Sequence, residues 1–353
     1  MSKVTIVQVA EHAGVSISTV SRVLNGSAKV NPEIAARVEE AIRTLNFVPN
    51  ISARNIKGTK DLHIGVVIPI VDDDFFSNML SAIINAAAEH GAIVSVYMSN
   101  GDSEYEKKCL KTAIAAGVSA LLFVPAGYIS PEDFYQIVPR NFPVVILNRR
   151  GIIPDVPHIY HDYIQGAEDA TRYLLRLDRR KIAFFAGFWT TSITADETLA
   201  LYNDEKKRGA YPTLDRLHGF KKVLEENGIA LDNELIVPCG RNYIAGYKKA
   251  KELLASLKEF DSIFCGKDEV AAGVLLALNE QKISVPEKVS MVSFDDSDFA
   301  IMPRPMLTTV KQCPGKLGAM AVEMCLDILD GKTVQNKVIE MELVIRNSTS
   351  GKD

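Results

Sequence analysis

The 353-residue chain is expected to fold as two α/β lobes, each a parallel sheet flanked by helices, preceded by a small all-α helix-turn-helix headpiece. The lobes are predicted by short apolar runs that alternate with helical patterns from His63 onward, HIGVVIPI and then FFSNMLSAIINAAAEHG. A second series repeats the alternation, from HDYIQGAEDATRYLLRL through KIAFFAG and SIFCG to VSMVSF. The headpiece is predicted by TIVQVAEHAGVSISTVSRVL, Thr5 to Leu24, which reads as two short helices across a tight turn. A hydrophobic content of 47% is enough for large cores in two or three units.

In chain order, Thr5 and Gln8 have capping-box spacing, so the first helix starts at Ile6 with an apolar stripe of Ile6, Val9, Ala10 and Ala13. Gly14 follows where a sharp turn needs a residue tolerant of positive φ. Ser16 caps a second helix, on which Val20, Val23 and Leu24 face one way and Ile17, Ser18, Ser21, Arg22 and Asn25 the other. That division suits a helical hairpin with a solvated face. It also suits a helix-turn-helix whose short polar side chains and one arginine reach base edges in the major groove. A third helix is marked by Asn31 as cap, Pro32 at its first position, and Ile34, Val38, Ala41, Ile42 and Leu45 on one face. Three helices in about 45 residues are near the lower limit for independent folding.

The net charge of -4 is unevenly spread. Residues 1–60 hold eight Lys/Arg and four Asp/Glu, a balance of +4, which leaves -8 for the remainder. A basic end on an acidic body fits a polyanion held at one place and repelled elsewhere. VPNISARNIKGTK follows the third helix, and Asn50 can cap at most two turns from Ile51 to Ile56, too short to be stable alone in water. A plain flexible linker is the other reading.

The words VAEHAGVSISTVSRVLNG, Val9 to Gly26, and ARVEEAIRTLNFVPN, Ala36 to Asn50, resemble the DNA-binding headpiece of the lactose/galactose repressor (LacI/GalR) family of bacterial transcription regulators. The resemblance continues more loosely to about Arg346. It implies a headpiece at 1–49, a hinge helix or linker at 50–60, and a periplasmic-binding-protein-like core of two lobes. These lobes would comprise 61–161 plus about 311–340, and 162–310 plus about 341–349, joined by crossovers near Asp162, near Thr308 and late in the chain. It further implies that Ile17, Ser18 and Arg22 face the major groove. Thr19, Ser21 and Asn25 suit phosphates better, and Thr5 and Ser16 join them at the helix starts. In the hinge, Asn50, Ala53, Arg54 and Ile56 are the expected DNA contacts, with Ile56 in the place of the minor-groove wedge. Ser52 departs from the family's apolar preference for hinge-to-hinge pairing.

Clefts in open α/β sheets lie at the carboxyl ends of strands, where Asp73, Phe75, Asn148, Arg149, Lys267 and Asp295 fall. By resemblance, Arg216 and Asp295 match ligand-binding positions of the family. Arg241 stands where some relatives have a sugar-stacking aromatic, and Lys267 where the strand-end motif has asparagine. Extra cations in a closed cleft call for a partner, so the expected effector is a sugar phosphate or sugar acid. If Asp72, Asp73 or the long segment Phe188 to Asp215 neutralises them, an uncharged sugar fits instead. That segment is longer than the family's usual connection, and is expected over the cleft, beside it, or as a surface excursion.

Enzyme motifs are lacking: no GxGxxG after a strand, no Walker loop, no GxSxG and no HExxH. The acidic run Asp72, Asp73, Asp74 is read as solvated rather than as a metal site. Five cysteines without ligand spacing read as reduced packing residues. No cofactor or metal is implied. The first residues lack the apolar run of a signal peptide, which predicts a cytoplasmic location without a membrane partner. The last strand, VIEMELVIRNSTSGKD, is followed by no apolar heptads, so a homodimer is expected. Its partners would then be a pseudo-palindromic operator and a carbohydrate-like effector. The expected function is a repressor, with an activator or corepressor-dependent repressor as alternative and a solute-binding protein as the remote one.

Overall fold

In the computed structural model, which describes residues 4–24, 30–47, 62–189 and 192–351, helices α1 (Ile6–Ala13), α2 (Ile17–Leu24) and α3 (Pro32–Thr44) form where the caps place them. Thr5 and Gln8 make a reciprocal capping box, Gly14 adopts φ +64° and Asn31 accepts from the Glu33 amide at 2.9 Å. Val9, Ala10, Ala13, Val20, Val38, Ala41 and Phe47 close a common core. Arg37, one of the basic residues of this end, is turned inward: its guanidinium donates to the Ala13 and Gly14 carbonyls and ties α3 to the turn. Asn25, Asn50, Ala53, Arg54 and Ile56, with the whole expected hinge at 50–60, lie outside the described residues.

The chain divides into two compact units, Met1–Leu62 and His63–Asp353. The second contains two sheets, each of six strands. The first comprises β1 (His63–Ile68), β2 (Ile93–Met98), β3 (Ala120–Phe123), β4 (Val144–Leu147) and β5 (His158–His161). The second comprises β6 (Ile182–Phe188), β7 (Ile236–Gly240), β8 (Ser262–Cys265), β9 (Ser290–Asp295) and β10 (Thr308–Lys311). The late strands β11 (Lys337–Ile339) and β12 (Glu342–Val344) complete the first and second sheet respectively. The orders are β11-β5-β4-β3-β1-β2 and β12-β10-β9-β8-β6-β7, and every pairing is parallel except β10 with β12. Central strands β3, β4 and β8 are buried throughout, as uninterrupted apolar runs require, whereas β2 at the edge has no buried residue.

The chain passes between sheets after β5, again after β10, and once more between β11 and β12. Helix Pro314–Leu329 returns to the first lobe, where a Cβ on Gly318 would collide with the Met79 carbonyl. Both sheets therefore present their carboxyl ends to the same cleft, the place where doubly wound folds hold ligands. No helix among the described residues is long and apolar enough to cross a membrane.

Candidate functional site

Two surfaces carry the residues singled out from the sequence, one in each unit. On the headpiece, α2 buries Val20 and leaves Ile17 48% exposed, with Ser18 and Arg22 also exposed on that side. Ser16 Oγ accepts from the Thr19 amide at 3.2 Å and lies 2.8 Å from Ser18 Oγ and 2.9 Å from Thr19 Oγ1, so three hydroxyls form one chain at the helix start. Ser21 is half-buried. Thr5 is exposed, its hydroxyl engaged with Gln8. Among the described residues Arg22 makes no ion pair, so its fork is free to engage an acceptor pair such as guanine O6 and N7.

The cleft of the second unit is built by strand ends from both lobes. Asp73 follows β1 and caps helix Asp74–Glu89, accepting from the Phe75 amide at 3.0 Å. The reading of the acidic run as solvated fits the exposed Asp72 and Asp74 but is corrected for Asp73, which is 5% exposed and faces the other lobe. There Lys267 Nζ donates to it at 2.7 Å and Arg241 Nη2 at 3.3 Å. Burial alone would raise the carboxyl pKa, but the charges of Arg241 and Lys267 hold it down to about 2. Lys267 also meets Glu269 at 3.0 Å, and the Arg241 guanidinium lies 4.3 Å from the centre of the Trp189 ring. These are the cations expected to need an anionic ligand, and the chain itself answers them.

Two other arginines are not answered. Arg216 is 5% exposed, sits 4.5 Å from the Tyr163 ring centre and 4.6 Å from that of Phe294, and makes no hydrogen bond or ion pair among the described residues, the charges of Asp295 and Asp215 acting on it only from farther off. Arg149 is 3% exposed, donates to the Asn148 carbonyl at 2.7 Å, and leaves its Nε without a partner. Burial lowers the pKa of both, that of Arg149 to about 10, without removing the charge at neutral pH. Such groups are costly unless something pairs with them.

Asn148, with φ +56°, is the left-handed residue that ends β4, and its Oδ1 accepts from the Tyr163 hydroxyl at 2.7 Å. Asp295 ends β9 at φ +126°, a strained backbone for an aspartate, and accepts from the Gln312 amide. Burial, and then the nearby charge of Asp268, push its pKa up to about 7. Phe75, Asn148, Arg149, Arg216, Arg241, Lys267 and Asp295 all border one cavity, with Asp73 beside it. Enclosed between the lobes, it has a volume of about 20 Å³, room for one water, and it continues into an open mouth of about 630 Å³.

Sequence reasoning missed Tyr163, Gln312 and Trp189. Tyr163 and Gln312 fall at the first two of the three crossovers rather than in a recognisable motif. Trp189 had one signal, as the chain's single tryptophan directly after a strand. No His/Cys/Asp/Glu cluster fit for a metal occurs among the described residues. The cysteines are free, four of them buried.

A helix-turn-helix with an open polar face and a two-lobe core with a polar cleft define a ligand-responsive DNA-binding regulator. Residues 5–50 match the family described as bacterial regulatory proteins, lacI family, and residues 171–349 match the periplasmic binding protein-like domain. The chain is 30% identical over 348 residues to the transcriptional repressor CytR of Escherichia coli K12, covering 98% of this chain and 96% of that one. It is 29% identical to catabolite control protein A of Priestia megaterium, covering 98% and 99%. A crystal structure of the Lac repressor dimer bound to operator and the anti-inducer ONPF superposes with a TM-score of 0.77 at 26% identity, covering 99% and 100%. The chain belongs to the LacI family of bacterial transcription regulators. Its relatives are DNA-binding regulators and not enzymes, in keeping with the lack of catalytic motifs.

Proposed function

We propose that this regulator is a cytoplasmic repressor that binds a pseudo-palindromic operator as a homodimer and is controlled by an anionic, carbohydrate-derived effector in the interlobe cleft. The observation that carries the effector class is the pair Arg149 and Arg216, buried in the cavity wall with no carboxylate in ion-pair contact, although Glu106 and Asp295 act on them from farther off. A carboxylate or phosphate offers both the charge and the acceptor geometry they lack. Asp295 and Asn148 would hold hydroxyls of the same molecule. The expected anion therefore sits on Arg149 and Arg216, and not on the Asp73-paired Arg241 and Lys267. The cavity has no room for a sugar ring as it stands, so uptake requires the lobes to part. What supports operator binding is the free Arg22 and the exposed Ile17 and Ser18.

One observation favours an uncharged sugar: Asp73 already neutralises part of the cleft. Calorimetric titration with a matched sugar, sugar acid and sugar phosphate separates the two. Trp189, between Phe76 and Arg241, is a second readout by fluorescence. The acid or phosphate is expected to bind at least about tenfold tighter than the neutral sugar, with most of the difference lost in Arg149→Met. Tight binding of the neutral sugar, unaffected by Arg149→Met, would reject the anionic effector.

A further inference from the structure

The segment between β6 and helix Pro212–Glu226 starts as part of the second lobe. Thr194 and Glu197 cap helix Ala195–Asn203, and Tyr202 is buried in the second-lobe core with its hydroxyl 3.0 Å from His218 Nδ1. Arg208 Nε donates to the Tyr202 carbonyl at 3.0 Å, closing the next turn onto the same anchor. The three residues that follow are seated in the other lobe. Gly209 accepts through its carbonyl from the Arg150 amide at 2.9 Å, and a Cβ there would collide with the Arg150 carbonyl. Ala210, fully buried, is a member of the first-lobe core with Ile129, Ile152 and Ile153. Tyr211 packs on both cores, and its hydroxyl stands 2.8 Å from where a Cβ on Gly127 would lie. Beyond them, buried Asp215 pairs with Arg150 Nη2 at 2.7 Å.

A surface excursion would not place an alanine inside the core of the opposite lobe. We propose that residues 203–215 are an interlobe clasp: Gly209, Ala210 and Tyr211 plug the first lobe, and the Asp215–Arg150 pair latches them. The wide mouth of the cleft is lined by Asp72, Asp74, Glu269 and Asp298, and by none of the clasp residues. The lobes therefore part at the mouth while the clasp keeps them joined on its own side, and the clasp sets how far they open. Nothing in this depends on which ligand the cleft takes.

Hydrogen exchange of the full-length protein, followed by mass spectrometry, tests it. Gly209→Ala should speed exchange roughly 5- to 30-fold in 205–211 and equally in the first-lobe segments 125–130 and 149–153. Strands β1 and β6 should keep their protection. Faster exchange confined to 205–211 would overturn the clasp. If Gly209→Ala also exposes β1 and β6, it has unfolded the core, and Arg150→Met decides instead. That variant removes only the latch from a side chain that is 39% exposed. It should speed exchange in both lobes' segments, and wild-type exchange in both would overturn the proposal.

Discussion

The reading face of the headpiece and the cleft of the core both display cations, but on opposite terms. Arg22 stands in water, where an unpaired guanidinium costs nothing until DNA arrives. Arg149, Arg216, Arg241 and Lys267 stand between two lobes, where each charge must be met by the chain or by a ligand. Apart from Arg37, which reaches back to the Ala13 carbonyl, polar groups at the headpiece helix starts find partners within three residues, as in Ser16 with Thr19 and Thr5 with Gln8. In the cleft the partners of Asp73 lie 168 and 194 residues away. Specificity can therefore be retuned on the headpiece one residue at a time, whereas a change in the cleft disturbs both lobes.

The largest expected effect breaks the answered half of the cleft. Asp73→Asn keeps the cap on the Phe75 amide but leaves Lys267 and Arg241 as half-buried cations, with Glu269 as a partial partner for Lys267 alone. Removing one partner of a buried pair typically costs about 3 to 5 kcal/mol, and Glu269 places this case near the lower figure. Urea denaturation of the core should show it, and added phosphate should restore part of the loss. The pH profile should change in step. Because the folded pKa of Asp73 is depressed to about 2, its stabilisation is complete above the unfolded value of 3.8 and is lost as pH falls towards 2. The variant should lack that acid limb. Unchanged stability would mean that the cleft cations are solvated like Arg22, and the contrast would collapse.

Arg22→Ala probes the other side of the comparison. As an exposed group without a partner it should change headpiece stability by no more than about 0.5 kcal/mol. Operator affinity should fall by about 1 to 3 kcal/mol, with a smaller loss on scrambled DNA. Gel-shift titration on both sequences checks this. An unchanged ratio of the two affinities would move base reading elsewhere on α2.

What could be read in advance follows the same division. The caps at Thr5 and Asn31, the turn at Gly14 and the apolar faces of α1 to α3 are interactions within a few residues, so spacing reveals them. The alternation of apolar runs and helical periods likewise exposes two parallel sheets. The residues around the cleft were legible as strand ends. Their pairing was not, because the meeting of Asp73 with Lys267 depends on how two lobes close. A run of three acids gives no sign that the middle one is buried. Tyr163 and Gln312 were hidden for a related reason: they lie at crossovers, where neither helix nor strand periodicity marks a side chain as facing a cavity. The clasp escaped because Ala210 looks like any loop alanine until the first lobe packs around it.

The smallest effect sharpens the unanswered half of the cleft. Asp295 is held by Gln312 and surrounded by Arg216, Lys267, Asp268 and Asp73, and with its pKa pushed up to about 7 it is partly protonated at neutral pH. Protonated, it can donate to a ligand; ionised, it repels an anion bound on Arg149 and Arg216. The binding of a sugar acid, whose own carboxyl titrates well below this range, should therefore weaken as pH rises from about 6 to 8. The loss should be up to about tenfold, near 1.4 kcal/mol. A folded pKa above the unfolded one also means that Asp295 stabilises the free core below about pH 4 and loses that contribution as pH rises through about 7. Core stability should thus decline mainly between about pH 4 and 7, and anion affinity around and above the upper end of that interval. Asp295→Asn, which stays neutral, should flatten both curves and leave anion affinity near its low-pH value. If affinity stays flat with pH in the wild type, or keeps its slope in Asp295→Asn, the titrating group lies elsewhere and Asp295 does not touch the bound anion.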